Sequence, residues 1–79
     1  MQLQIITTEQ ELFNGEVTLV QVPGSKGAFE ILKNHAPIIS TLEEGQIRAV
    51  LKNGGEQHFD VKGGVVESSD NSIVVLADM

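Results

Sequence analysis

Turn signals divide this chain so often that no long element fits between them. Asn14-Gly15, residues 23–27 (PGSKG), residues 53–55 (NGG) and residues 68–72 (SSDNS) are built from residues that accept positive φ or fix a bend. The segments between them carry strand signals. Residues 3–7 (LQIIT) and 72–77 (SIVVLA) are rich in β-branched residues, and residues 16–22 (EVTLVQV) alternate. In residues 46–52 (QIRAVLK), Ile47, Ala49 and Leu51 share one face while Arg48 and Lys52 share the other. In residues 56–62 (EQHFDVK), Phe59 and Val61 point one way and His58, Asp60 and Lys62 the other. Thr8 and Glu11 have capping-box spacing, but Gly15 follows too soon for more than one helical turn. No window shows helical periodicity, and there is no repeat or linker. The pattern predicts one all-β domain whose strands close into a sandwich or barrel, with hairpin turns at Asn14-Gly15 and Asn53 to Gly55.

Size and charge narrow the functions open to such a domain. With 79 residues the core is small, and without cysteine no disulfide or thiolate zinc site supports it. A chain of this kind rests on its core alone or on a partner. The net charge is −6, from 11 acidic and 5 basic residues, which repels a phosphate backbone and argues against nucleic acid. No segment approaches the roughly 20 apolar residues of a membrane-spanning helix. The N-terminus has neither the basic region nor the apolar stretch of a signal peptide.

Three stretches invite a chemical reading. The first, residues 23–29 (PGSKGAF), looks like a phosphate cradle, but Ser25 precedes Lys26 and Gly27 leads towards a strand. A P-loop needs Lys and then Ser or Thr after its last glycine, opening a helix. The second, residues 31–40 (ILKNHAPIIS), holds His35. A general base needs an orienting carboxylate and a nucleophile, and no nucleophile or metal-binding motif accompanies it. Asn34 and Pro37 instead form a structural turn, because Pro37 holds Ala36 extended and launches the next strand. In the third, Gly63-Gly64 inside a strand pattern marks a bend, a barrel corner or a close approach of another backbone. No catalytic, cofactor-binding or metal-binding set emerges. A β-sandwich that binds a small ligand is the alternative, but three Phe with no Trp or Tyr are thin equipment for stacking one.

In chain order, VPGSKGAFEILKNHAPIISTLEEGQIRAV, GGVVES and NSIVVLAD resemble the N-terminal β-sandwich domain of the epsilon subunits of F-type ATP synthases. The His-Ala-Pro step and the Gly-Gly corner carry most of that likeness, which runs along essentially the whole chain. Glu30, Lys33 and Val65 depart from the usual family residues. The resemblance implies a small flattened sandwich or barrel of about 8–10 short strands. It implies a short form that stops at Met79, without the C-terminal two-helix domain of longer members. It further implies a non-catalytic rotor part of the central stalk, coupling ion translocation to ATP synthesis. Its partners would be the gamma subunit, facing Thr7, His35 and Ser40, and the polar loops of the c-ring. The loop of Ser25, Lys26, Gly27, Ala28, Phe29 and Glu30 would face the ring, with Phe29 as its exposed aromatic anchor. No cofactor, nucleotide binding, membrane insertion or helix-mediated inhibition is expected. The implied location is the cytoplasmic face of the bacterial plasma membrane, as a peripheral protein.

Overall fold

A computed structural model describes residues 1–79. Eight strands and no helix make up the chain: β1 (Gln2–Ile6), β2 (Glu11–Val22), β3 (Phe29–Leu32), β4 (Ile38–Leu42), β5 (Gly45–Leu51), β6 (Glu56–Val61), β7 (Gly63–Ser69) and β8 (Ser72–Asp78). They form two sheets that share β2. The first runs β4-β7-β8-β1-β2, and the second runs β3-β2-β5-β6. The early half of β2 pairs with β1, Gln2 opposite Glu16, and its later half lies between β3 and β5, Val20 opposite Ile31 and Ala49. A register irregularity between Val17 and Leu19 marks where β2 passes from one sheet to the other. Such a bulge increases twist and lets a strand turn a corner. A bridge between Gly24 and Leu42 ties the far end of the assembly back to β4.

Alternation fills the space between the sheets. Leu3, Ile5, Val20, Val22, Ile31, Ile47, Ala49, Val66, Ile73 and Val75 are all inaccessible or nearly so, and belong to one cluster of 14 buried apolar residues. Ile47 and Ala49 point inwards while Arg48 lies on the outer face, as their spacing predicts. A single close-packed cluster of this kind resists deformation.

The turns follow their residues at three places and not at a fourth. Asp70 and Asn71 have φ of 53° and 61° in the two-residue link of the β7–β8 hairpin, as a primed turn requires. Gly54, at φ 91°, closes the β5–β6 hairpin, where its amide donates to the Leu51 carbonyl. Asn34, at φ 65°, turns the chain between β3 and β4. The hairpin expected at Asn14-Gly15 does not exist, because both residues lie inside β2. Phe13 folds its ring over Gly15, and the Asn14 side chain bonds Gln2 and Glu11 on the same sheet face. The turn falls instead between Ile6 and Glu11. There Thr7 Oγ1 accepts from the amides of Glu9 and Gln10, each at 3.1 Å.

At Lys62 the chain crosses from the second sheet to the first. The bend at Gly63-Gly64 is also a close approach. Gly64 has φ 141°, and a Cβ there would lie 2.2 Å from the Leu76 carbonyl oxygen of β8. Only glycine lets β7 meet β8 at this point.

Candidate docking surface

The two outer faces of the molecule differ. On the first sheet, residues paired across strands share a face, which gives one row of Thr41, Val65, Leu76 and Ile6. The next row holds Ile39, Glu67, Val74 and Gln4. Ile39 is 72% exposed, Leu76 53% and Val65 37%, so these three large apolar side chains stand together in solvent. The outer face of the second sheet is mixed, with a row of Leu32, Leu19 and Val50 that ends at Glu56, and Leu32 is 50% exposed. Its central row is Glu30, Gln21, Arg48 and His58. The Arg48 guanidinium reaches Glu30 at 3.4 Å and Glu56 at 3.3 Å, and its Nε donates to Gln21 at 3.1 Å. His58 bonds Gln46 and Glu56. The polar groups of this central row satisfy one another, whereas the first sheet leaves three large apolar side chains uncovered.

The three residues expected to face gamma frame the apolar sheet without meeting one another. Thr7 opens the β1–β2 turn, beyond the row of Leu76 and Ile6. His35 lies at the opposite border of that sheet, in the β3–β4 turn. The Asn34 amide donates there to Asn71 Oδ1 at 2.8 Å, and the Asn71 carbonyl accepts from Gln2 where β1 begins. Five residues of β1 separate the two borders, about 17 Å of extended chain. Ser40 stands on β4 opposite Val66, on the inner side of the strand, half-buried. Its hydroxyl donates to the Thr41 carbonyl. His35 Nδ1 meets only the Ala36 carbonyl, at 2.7 Å, and Glu30 is engaged by Arg48. The histidine, serine and carboxylate of this stretch are therefore not brought into a relay.

The loop expected to face the c-ring divides in two. Ser25, Lys26, Gly27 and Ala28 form an exposed turn. It is fixed to β4 by the Ser25 amide on the Thr41 carbonyl, 3.0 Å, and by the Thr41 hydroxyl on Ser25 Oγ, 2.9 Å. The turn sits on the same sheet border as Thr7, because Leu42, Gly64 and Ala77 lie in one row between them. Phe29 and Glu30 belong to β3. The expectation of an exposed Phe29 fails. Its ring is half-buried, packs against the core and lies where a Cβ on Gly24 would come within 2.8 Å. The absence of a side chain on Gly24 leaves the space that the ring occupies there.

The apolar outer face carried a local signal in the sequence. In residues 73–77 both alternating sets are apolar, the mark of a strand covered on its two faces. No three His, Cys, Asp or Glu side chains converge anywhere in the molecule. The largest surface depression, between the β1–β2 turn and residues 77–79, is lined by Thr7, Thr8, Glu9, Gln10, Ala77, Asp78 and Met79, with no aromatic group among them.

Comparison with known proteins fits this architecture. The sequence matches the family described as ATP synthase, Delta/Epsilon chain, beta-sandwich domain, over residues 1–79. It is 40% identical over 76 residues to the ATP synthase epsilon chain of Chlorobium limicola, covering 96% of this chain and 86% of that one. It is 38% identical over 79 residues to the ATP synthase epsilon chain of Caulobacter vibrioides, covering 99% and 90%. Its fold is similar to a chain in the Euglena gracilis mitochondrial ATP synthase, from a structure of OSCP, F1 and the c-ring, with a TM-score of 0.90 at 15% identity. It is also similar to one in the central stalk and c-ring of the Tetrahymena thermophila mitochondrial ATP synthase, with a TM-score of 0.80 at 16% identity. This chain spans 49% and 63% of those two chains, and at such identities the likeness is one of fold alone. With the family matched from end to end and the epsilon chains matched over nearly their whole length, the chain belongs to the β-sandwich family of ATP synthase delta/epsilon chains, as an epsilon-type subunit.

Proposed function

We propose that this chain is a rotor subunit of the central stalk, which docks on the gamma subunit through the outer face of its first sheet. Coupling of ion translocation to ATP synthesis then passes through a close-packed domain that does no chemistry itself. The observation that carries this reading is the apolar face formed by Ile39, Val65 and Leu76. An uncovered patch of this kind on a small domain marks a protein contact. Thr7 and His35 border that face and serve as its rim, while Ser40 lies on the inner side of its edge strand. The exposed turn of Ser25, Lys26, Gly27 and Ala28 rests on the polar loops of the c-ring, with Lys26 as its charged group. Glu30, held by Arg48 on the other sheet, and Phe29, held by the core, stand behind that contact. The domain works at the cytoplasmic face of the bacterial plasma membrane. On this reading residues 1–79 neither bind nucleotide nor block hydrolysis.

The test is the affinity for a gamma subunit from the same source, measured by calorimetry. Leu76→Asp places a charge in the middle of the apolar face and should weaken binding at least about tenfold. Its unfolding midpoint should stay at the wild-type value, because Leu76 points outwards. His58→Ala, on the outer face of the second sheet, should bind as the wild type does. Equal affinity for Leu76→Asp and the wild type would remove this face from the interface.

A further inference from the structure

The two sheets end on very different edges. Strand β6 closes the second sheet with Glu56, His58 and Asp60 along it, charges that discourage another chain from pairing there. Strand β4 closes the first sheet with the uncharged sequence IISTL. On its free side, the Thr41 carbonyl accepts from Ser25 and the Glu43 amide donates to the Pro23 carbonyl, so residues 23–25 already lie along the end of β4 as a short antiparallel stretch. Main-chain groups of alternate strand residues point to the same side. Ile39 therefore aims both its N–H and its C=O at the free edge, as Thr41 and Glu43 do. Its only strand neighbour, β7, lies on the other side, and no hydrogen bond from a loop or side chain reaches it. The same residue has the most exposed large apolar side chain of the chain. Pro37, which has no N–H, stands just before the strand.

We propose that the free half of the β4 edge receives an added strand from the gamma subunit, in line with residues 23–25 and antiparallel to β4. This rests on the docking reading above and extends it from the sheet face to its edge. One residue of the incoming segment exchanges both main-chain hydrogen bonds with Ile39. Its side chain falls on the outer face beside Ile39 and is apolar. The segment needs only three residues, opposite Ser40, Ile39 and Ile38, because Gly24-Ser25 fills one end and Pro37 closes the other. A second copy of this chain is the poorer occupant, since each copy carries a net charge of −6 and the overlap is short.

Residue-resolved hydrogen exchange on the wild-type domain, alone and bound to gamma, tests this directly. In the free domain the Ile39 amide should exchange near the unprotected rate, and in the complex it should slow by about a hundredfold or more. Ile39→Pro removes the outward N–H and leaves the β4–β7 ladder intact, so it should fold and bind gamma about three- to tenfold more weakly. Ile39→Val should bind as the wild type does. A wild-type complex in which the Ile39 amide stays unprotected overturns the added strand and leaves docking on the face standing. No complex at all overturns both.

Discussion

At the scale of single residues, exposure decides function more than identity does. Phe29 looked like an anchor because it follows a glycine-rich loop, yet it is the first residue of β3 and its ring lies on Gly24. A loop composition cannot tell a ring that projects from one that folds back; that depends on an empty site created elsewhere in the chain. Phe29→Asp should therefore destabilise the isolated domain by about 2–4 kcal/mol, since it strips a packed aromatic and pushes a carboxylate towards the core. Urea denaturation measures this. An unfolding midpoint equal to that of the wild type would restore Phe29 as a free surface group. His35 shows the reverse case. The turn chemistry of Asn34 and Pro37 is local, so its place in an exposed turn was legible, whereas its position opposite Thr7 across the sheet depends on the Asn71 contact far along the chain.

At the scale of elements, strands and hairpins were readable where their cause is local. The alternation of Ile47, Ala49 and Leu51, the positive-φ residues Asp70 and Asn71, and the turn at Gly54 all follow from neighbouring residues. Asn14-Gly15 misled because a cross-strand ladder and the Phe13 ring hold it straight inside β2, an override of turn preference by pairing. The parallel pairing of β1 with β8 joins the two ends of the chain, and nothing near either strand announces it. Gly63-Gly64 was legible as a corner, and its partner, the backbone of Leu76, was not. Gly64→Ala should cost about 2–4 kcal/mol, because the added methyl meets a carbonyl oxygen that cannot retreat without parting β7 from β8. Gly27→Ala, at φ 124° but in open space, should cost only about 1 kcal/mol of backbone strain. Equal losses in denaturant unfolding would mean that β7 and β8 do not depend on that close approach.

At the scale of the whole molecule, the domain is a sandwich with one outer face whose charged groups pair among themselves and one that leaves Ile39, Val65 and Leu76 uncovered. The family was legible from the His-Ala-Pro step, the Gly-Gly corner and the closing strand, because those residues carry a turn, a close approach and a doubly apolar strand. The apolar outer face was less so, since its rows join β4, β7, β8 and β1, which only the sheet order brings side by side. On the reading proposed above, this face makes the chain a partner of gamma. Sizing chromatography of the purified wild-type chain mixed with a folded gamma subunit from the same source tests that most directly. Co-elution as a stable one-to-one complex is the expected result; separate elution of the two folded proteins would rule gamma docking out.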